Sequence, residues 1–422
     1  MADASIASRW KDLSGQNNWN GLLHPLDPDL RRYIIHYGER TAAVGDLFDG
    51  VNCKSSKKDF FSISCLVKGN KFKYEVTHFF YAGSRPTSVN PAWFGYVAVT
   101  TDDGKAVLGR RDILVVWRGT RTATEWLNNA RLYAVSASDL FKEDTEAKVH
   151  CGYLTIYTGS WPDSVSNKIS AREQVPDAVR ELLTKYKDEE GEVSITVTGF
   201  SLGGALATLN AMDIVANNHN RIRITGHPAK SCMVTAFTFG APFVGNSGLL
   251  ELYEKLVHDH NFHLLRIKNY NDPVPKLPYP SVGYVHLGEE LIVNSSISDY
   301  LKRTRYGRSI VDDQEEEDLA KIMDPEERES RGLFKDNFSW FSAHSMDVYL
   351  HSVAGLKEKD GKILFELDSE PHYHDYALVN KHLDRLRDEY GIPANWWEDE
   401  NRKNMVQMED GSWVNKNATT SN

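Results

Sequence analysis

The middle of the chain, residues 175–268, alternates between two patterns of apolar residues. Helical spacing, with apolar residues three and four positions apart, gives way each time to a short apolar run that is typical of a buried strand. The predicted elements are helix 175–187, strand 193–198, helix 205–212, strand 233–239, helix 249–258 and strand 262–268. Strands that alternate with helices usually pair in parallel and carry helices on both faces. The sequence therefore predicts an α/β fold with a central, mostly parallel sheet.

The regions outside this alternation follow other patterns. Helical spacing over 28–37 makes residues 1–75 look mainly helical. Ahead of the alternation, β-rich runs at 93–101 and 112–117 flank an Asp103–Gly104 turn signal, which predicts that the two strands lie side by side as a hairpin. The later elements are an antiparallel pair from 284–288 and 290–293 and a helix over 376–390.

The composition is that of a globular protein with an acidic balance. The chain has 422 residues, 41% hydrophobic and 26% charged, with a formal net charge of −10. The charge and the lack of a basic stripe argue against nucleic acid as a partner, and no stretch approaches the roughly 20 apolar residues of a transmembrane segment. The N-terminus has no apolar signal core, and free thiols are favoured over a Cys53–Cys65 bridge. We expect a cytoplasmic protein.

A Gly-x-Ser-x-Gly motif, Gly199 to Gly203, stands between the predicted strand 193–198 and helix 205–212. In that context the motif forms a sharp turn that exposes the serine hydroxyl at the end of the sheet. The same turn points the helix N-terminus at any oxyanion formed there. A purely structural glycine-rich turn is the alternative. We predict that Ser201 is a nucleophile.

A serine nucleophile needs a base to take its proton and an acid to orient that base. Asp272 directly follows strand 262–268, at the edge of the sheet where such folds collect site residues, although a loop cap is a competing role. Among the later histidines, His344 stands where a loop meets a predicted helix and is the best candidate for the base. His351 is more typical of a packed or surface histidine, and His286 of a support for the acid loop.

Two backbone N–H groups are needed to stabilise the oxyanion of acyl transfer. Leu202 follows the serine directly and is one candidate. Thr120, which follows Gly119 at the end of the strand 112–117, is the other. The next segment, 121–133, is short and compatible with a helix, and Trp126 and Leu127 give it apolar surface.

Three further features receive structural interpretations. The histidines within 258–263 and 372–374 lack cysteine or carboxylate partners at ligand spacing, so no metal is expected. The acidic segment 312–331 is typical of a solvated helix or loop rather than a binding site. Trp396 and Trp397 are expected to fix the tail to the body of the protein rather than to bind a ligand.

Together these motifs resemble the lipase class 3 (fungal-type) family. The resemblance rests on Val-Val-Trp-Arg-Gly-Thr, Thr-Gly-Phe-Ser-Leu-Gly-Gly, Phe-Gly-Ala-Pro-Phe-Val-Gly-Asn, Asn-Asp-Pro-Val-Pro and the late histidine. Segments 13–33, 344–351, 377–381 and 396–397 are more similar to the plant phospholipase A1 class II branch. The resemblance covers nearly the whole chain.

This resemblance implies a single α/β-hydrolase domain over 1–422, with a helical N-terminal segment (1–75) and a C-terminal extension (370–422) packed on it. The implied roles are nucleophile for Ser201, acid for Asp272, base for His344, oxyanion donors for Thr120 and Leu202, and lid for the segment around 121–133. The implied activity is hydrolysis of the sn-1 acyl ester of glycerophospholipids at a membrane or micelle surface, without a cofactor.

Two positions depart from the family pattern. Phe200 precedes the serine where the family usually has histidine, and Phe243 stands in Ala-Pro-Phe-Val-Gly where arginine is common. Neither belongs to the triad, so the departures bear on acyl-chain or head-group preference. The alternatives are a mono- or diacylglycerol or galactolipid lipase with the same triad, a non-catalytic lipid- or partner-binding protein, and a serine peptidase. The sequence leaves the oligomeric state open.

Overall fold

The computed structural model describes residues 2–84, 89–119, 133–142, 146–222, 229–278, 283–302, 342–359, 362–367 and 374–417. The strands in these ranges are Tyr74–Ser84 (β1), Val89–Thr100 (β2), Arg111–Trp117 (β3), Ala134–Ser136 (β4), Lys148–His150 (β5), Val193–Phe200 (β6), Arg221–Ile222 (β7), Lys230–Ser231 (β8), Met233–Phe239 (β9), Phe262–Asn269 (β10), Glu289–Val293 (β11), Leu356–Lys359 (β12), Lys362–Phe365 (β13), Met405–Gln407 (β14) and Trp413–Asn415 (β15).

The α-helices in the same ranges are Ala2–Leu13 (α1), Pro28–Asp46 (α2), Phe60–Ile63 (α3), Asp102–Leu108 (α4), Cys151–Thr158 (α5), Ala171–Lys185 (α6), Leu202–Ala216 (α7), Ser247–His260 (α8), Met346–Gly355 (α9) and Asp399–Arg402 (α10). Short 3₁₀ helices lie at Val274–Lys276, Ser295–Ile297, Tyr376–Asn380 and Asp388–Tyr390. Between α6 and β10, the helices α6, α7 and α8 alternate with the central-sheet strands β6, β9 and β10, as the apolar pattern predicts, and the short strands β7 and β8 are inserted between α7 and β9.

In the described part of the chain, the central sheet has seven strands in the order β1-β2-β3-β6-β9-β10-β11. Every neighbouring pair from β3 to β11 is parallel, whereas β1, β2 and β3 pair in antiparallel. Strands β3 and β9 are buried along their whole length, because helices cover both faces of the sheet. The predicted α/β fold with a mostly parallel sheet is confirmed.

Different helices cover the two faces of the sheet. On one face, Thr41 of α2 makes a hydroxyl–hydroxyl hydrogen bond of 2.9 Å with Thr198 of β6. On the other, Trp117 of β3 donates its indole N–H to Asn210 of α7 at 3.1 Å. Nearly every residue of α7 is buried, which explains why its sequence is apolar on all sides rather than on one stripe.

The connection between β2 and β3 differs from the predicted hairpin. The two strands are antiparallel neighbours, but helix α4 joins them, so the Asp103–Gly104 turn prediction is wrong. Thr101 caps the helix by accepting a hydrogen bond from the Gly104 N–H at 3.2 Å, and Gly109 ends it in a left-handed conformation. The sequence also did not predict strand β1, which pairs in antiparallel with β2. A good cap at each end of the segment outweighs its local turn signal.

The predicted antiparallel pair near residue 290 is also wrong. Residues 289–293 form β11, which pairs in parallel with β10 and not with 284–288. The chain turns at Gly288, where φ is 75° and an added Cβ would lie 2.5 Å from the carbonyl oxygen of Leu264. This close approach to β10 directs the chain into a parallel edge strand.

The predicted helix 376–390 is replaced by two short 3₁₀ helices, so that prediction is wrong as well. The side-chain oxygen of Asn380 accepts the backbone N–H groups of Arg385 at 2.8 Å and Leu386 at 2.7 Å. These bonds fold the chain back on itself where a continuous helix would have run on.

The two terminal segments contact the central sheet and its helices. Helices α1, α2 and α3 lie within the predicted helical segment 1–75. In the C-terminal extension, Lys381 forms a buried ion pair with Asp46 at the end of α2. Trp396 is fully buried and donates its indole N–H to the carbonyl of Ala377 at 2.7 Å, within the C-terminal extension itself. Its ring contacts with Trp397 and Trp413 also lie in the extension, so the expected role of the tryptophans in fixing the tail to the body stays a prediction. The assignment of 1–422 to one domain stays a prediction.

Three sequence expectations concern features other than the sheet. Among the described residues, Cys53, Cys65, Cys151 and Cys232 are unpaired thiols. Within the described ranges, no helix combines the length and apolar character needed to cross a membrane. The acidic segment 312–331 lies outside the described residues.

Candidate active site

Ser201 lies in the sharp turn between β6 and α7. Its backbone has φ 57° and ψ −128°, a conformation that residues with a side chain rarely adopt. Its N–H donates to the carbonyl of Phe239 at the end of β9 at 2.9 Å, and α7 begins at the following residue. The turn therefore holds the serine at the carboxyl edge of the sheet, against the N-terminus of a buried helix.

Two glycines permit this turn. A Cβ added to Gly199 would lie 2.1 Å from the carbonyl oxygen of Gly203, and one added to Gly203 would lie 2.4 Å from the carbonyl oxygen of Trp117. Backbone atoms this close leave no room for a side chain. The strand, the turn and the helix can pack in this way only with glycine at both positions.

Ser201, His344 and Asp272 form one hydrogen-bonded row. His344 Nε2 lies 2.9 Å from Ser201 Oγ, and His344 Nδ1 lies 2.6 Å from Asp272 Oδ2. The Asp272 carboxylate is fully buried and the His344 side chain is 6% exposed, so water has little access to the row. This is the geometry that lets an imidazole take a proton from a serine hydroxyl while a carboxylate orients the ring.

The carboxylate of Asp272 is held through both of its oxygens. The N–H of Val274 donates to Oδ1 at 2.9 Å, and the hydroxyl of Tyr349 donates to Oδ2 at 2.6 Å. Burial and the adjacent carboxylate raise the pKa of Tyr349 well above its usual range, so the phenol remains protonated as a donor. Oδ2 thus accepts hydrogen bonds from both Tyr349 and His344.

Asn269, the last residue of β10, fastens the segment that carries His344 to the sheet. Its side-chain amide donates to the carbonyl of Ala343 at 3.0 Å and to the hydroxyl of Ser295 at 2.9 Å. Its side-chain oxygen accepts the N–H of Ser295 at 3.0 Å. Because Asp272 follows three residues later, the end of β10 positions both the carboxylate and the imidazole.

Sequence reasoning did not single out Tyr349 and Asn269. Asn269 carries a weak signal, since it is a polar residue at the end of an apolar strand and stands directly before the acid loop. Tyr349 carries none, because an aromatic residue inside an apolar helix is usually part of the core. Only the packing of α9 against the acid loop places its hydroxyl on the carboxylate.

Of the two predicted oxyanion donors, Leu202 falls within the described residues. It is the first residue of α7, so its N–H has no acceptor within the helix. The chain after β3 lies close to the turn that carries Ser201, since a Cβ added to Gly119 would be 2.8 Å from the carbonyl oxygen of Phe200. Three other predicted site residues lie outside the described residues: Thr120, Trp126 and Leu127.

His286 and His351, the two other histidines considered for the base, lie outside the hydrogen-bonded row. His286 accepts a hydrogen bond from Arg266 at 2.8 Å and stacks on Phe243, with ring centroids 3.8 Å apart. Burial and Arg266 lower the pKa of His286 to about 3, so this ring stays neutral. His351 is fully buried and bonds to the hydroxyl of Ser298 at 2.9 Å, as expected for a packed histidine.

The site is equipped for acyl transfer by a serine hydroxyl. The base His344 is hydrogen-bonded to the hydroxyl of Ser201, and the acid Asp272 is hydrogen-bonded to the base. The N-terminus of α7 adjoins the reacting oxygen. In the described ranges, no group of three or more His, Cys, Asp or Glu side chains is arranged to hold a metal ion.

Comparisons with known proteins identify the family. The family model described as lipase (class 3) matches residues 114–282, from β3 through the acid loop. The chain is 40% identical to phospholipase A1-II 4 of Oryza sativa subsp. japonica, over 98% of this chain and 96% of that protein. It is also 40% identical to phospholipase A1-IIgamma of Arabidopsis thaliana, over 97% of this chain and 92% of that protein.

The likeness to solved structures is looser. The Rhizomucor miehei lipase propeptide complex is 20% identical, covers 61% of this chain and 67% of its own, and superposes with a TM-score of 0.40. The assignment rests instead on the plant relatives, which match at 40% identity over nearly the full length of both chains. The chain belongs to the plant phospholipase A1-II group of the lipase class 3 family.

Proposed function

We propose that this protein is a phospholipase A1, a serine hydrolase that cleaves the sn-1 acyl ester of glycerophospholipids. The observation that carries the proposal is the hydrogen-bonded row of Ser201, His344 and Asp272 at the N-terminus of α7. Such a row serves acyl transfer from many esters. The names of the full-length relatives narrow the substrate class to phospholipids.

In the first half of the reaction, Ser201 attacks the carbonyl carbon of the ester. His344 Nε2 takes the hydroxyl proton along the existing 2.9 Å hydrogen bond. Asp272 accepts the hydrogen bond from Nδ1, keeps the ring oriented and stabilises the imidazolium. The N–H groups of Leu202 and Thr120 stabilise the oxyanion of the tetrahedral intermediate.

In the second half, His344 returns the proton to the oxygen of the leaving lysophospholipid, and the acyl group remains on Ser201. A water molecule then gives its proton to His344 and attacks the acyl-enzyme. The fatty acid leaves, and the hydroxyl of Ser201 is restored. Each proton moves between groups of the row, the substrate and water, so the reaction requires no cofactor.

The experiment that tests this function uses phosphatidylcholine with different acyl chains at sn-1 and sn-2, presented in micelles and vesicles. Mass spectrometry of the released fatty acid identifies the bond that breaks. Diacylglycerol and a galactolipid are assayed in parallel. We expect release of the sn-1 chain from phosphatidylcholine. Turnover of diacylglycerol or galactolipid alone would mean the same chemistry on another lipid and would overturn the substrate assignment.

Two variants test the assigned roles. Ser201→Ala and His344→Gln should each lower kcat by roughly 10⁴-fold or more, because nucleophile and base act as a unit. His24→Gln is the matched control, since His24 is an exposed histidine whose side chain pairs with Glu358. It should retain wild-type turnover. Full activity in Ser201→Ala would contradict the proposed mechanism.

We propose in addition that segment 121–133 acts as a lid, with Trp126 and Leu127 as apolar contacts for lipid, and that the protein works in the cytoplasm. The four unpaired cysteines fit a reducing compartment. Trp126→Ser should raise KM for aggregated phospholipid more than for a short soluble ester. Recovery of the native protein from a secreted fraction would contradict the cytoplasmic location.

A further inference from the structure

Phe200 packs face to face with the imidazole of the row. The ring centroids of Phe200 and His344 lie 4.5 Å apart, with 28° between the ring planes. The same phenylalanine ring meets Tyr349 edge-on at 5.9 Å. Phe200 is the last residue of β6 and directly precedes Ser201, so its ring lies between the nucleophile turn and α9.

The stack restricts the ring of His344 in the one direction that the hydrogen bonds leave free. Asp272 and Ser201 hold the imidazole through the two nitrogens at its edge. Tilting about the line through these nitrogens would drive the imidazole into Phe200. The phenylalanine ring also lies close to the backbone at Gly240, where an added Cβ would be only 3.1 Å from its Cε2.

Phe200 also presents a π face to the group that becomes charged. In the proposed reaction the imidazole turns into an imidazolium, and an aromatic face attracts a cation. Among the described residues, Asp272 is the titratable group hydrogen-bonded to His344, and Tyr349 in turn donates a hydrogen bond to Asp272. On its own helix, Asp347 interacts instead with Lys381 and Asp46. Phe200 can neither donate nor accept a hydrogen bond, so it offers the imidazole no competing partner.

We propose that Phe200 is a positioning residue for His344, holding the imidazole in the plane that joins Asp272 to Ser201 and stabilising the imidazolium through its π face. This inference rests on the proposed role of His344 as base. It gives the residue before the nucleophile a function in the rate and pH dependence of hydrolysis, separate from any contact with lipid.

Phe200→Leu and Phe200→Met keep an apolar side chain but remove the aromatic face. A cation–π contact of ordinary strength corresponds to a roughly three- to tenfold effect on an equilibrium. We therefore expect kcat to fall about three- to tenfold in both variants, with KM for phosphatidylcholine unchanged. Activity requires the neutral imidazole, so the acid limb of the pH profile of kcat/KM should move to lower pH by about half a unit to one unit. Phe200→Tyr retains the aromatic face and should keep the wild-type profile.

The matched control is Phe365→Leu. Phe365 packs on His351 with ring centroids 4.8 Å apart, a similar aromatic–histidine contact outside the row. This variant should leave the pH profile and kcat unchanged. Circular dichroism and thermal unfolding confirm that each variant is folded, and Phe200→Met supplies the result if Phe200→Leu does not fold.

The outcomes separate this inference from the proposed function. Retained turnover in Ser201→Ala and His344→Gln would overturn the proposed function itself. If those variants are inactive, an unshifted acid limb in folded Phe200→Leu and Phe200→Met overturns the role of Phe200. A change in KM alone also overturns it, because it would make Phe200 a substrate contact.

Discussion

The hydroxyl of Tyr349 offers a sharp test of how the acid of the row is held. Its 2.6 Å hydrogen bond ends on Asp272 Oδ2, the oxygen that also accepts from His344. The Asp272 side chain has no exposed surface, so water cannot replace the lost donor in Tyr349→Phe. Hydrogen bonds to charged groups contribute about 1.5–3 kcal/mol, and the free energy of unfolding should fall by about that amount.

The effect of Tyr349→Phe on catalysis follows from the shared oxygen. Without the second donor, the carboxylate is free to rotate away from the position that orients the imidazole. If the activation free energy of hydrolysis rises by about half of the lost hydrogen-bond free energy, kcat should fall about three- to tenfold. Urea unfolding measures the first quantity, and steady-state hydrolysis of phosphatidylcholine measures the second.

Tyr74→Phe is the matched control for this experiment. Tyr74 is also buried, and its hydroxyl donates at 2.7 Å to the buried carboxylate of Asp112. Asp112 lies at the start of β3, at the other end of the strands from Ser201. Tyr74→Phe should therefore lower stability by a similar amount and leave kcat unchanged. An equal loss of kcat in both variants, or no loss in Tyr349→Phe, would refute the reasoning.

Four other substitutions have clear expected outcomes. Gly203→Ala should abolish activity and soluble expression, because the new Cβ would lie 2.4 Å from a backbone oxygen; a soluble, active variant would contradict this. Gly45→Ala in α2 has open space and should add about 0.5–1 kcal/mol to the free energy of unfolding in urea, and an unchanged or lower urea midpoint would contradict this. Lys381→Met leaves the buried carboxylate of Asp46 without its ammonium partner and should cost about 3 kcal/mol in urea unfolding; a cost under about 1 kcal/mol would mean that the pair acts as an exposed one. Burial raises the pKa of Asp347 to about 6. Because the carboxyl titrates near pH 3.9 in an unfolded chain, the stability it contributes is complete below about pH 4 and is lost as the pH rises through 6. Asp347→Asn should flatten the pH dependence of the unfolding free energy between about pH 4 and 7, and an unchanged slope would contradict the assignment.

The sequence was informative wherever a local pattern carries its own steric or chemical requirement. The turn at Ser201 needs glycine at Gly199 and Gly203, so five consecutive residues identify it without knowledge of the fold. Strand Met233–Phe239 is buried throughout because it is covered on both faces, and the mostly apolar run predicted its bounds. Asp272 and His344 could be selected because each stands at a boundary between an apolar element and a loop.

The sequence failed where the outcome depends on what a segment meets in space. Segment 102–108 carries both a turn signal and a helix cap, and it is a helix because both of its ends are capped. Strand β11 is parallel because Gly288 lets the chain pass close to β10. Helix 376–390 does not form because the Asn380 side chain takes over two backbone donors that the helix would have used.

The active site shows the same difference between what the sequence predicts and what only the folded structure decides. The identities of Ser201, His344 and Asp272 are readable from the chain, because the chemistry of acyl transfer requires these residue types next to recognisable elements. The supports of the row are decided by tertiary structure. Tyr349 reaches the carboxylate only because α9 packs beside the acid loop, and Asn269 binds a segment that lies 74 residues further along the chain. Contacts between distant segments leave no periodic or local mark in a sequence, so the groups that orient a catalytic row emerge only once the chain is folded.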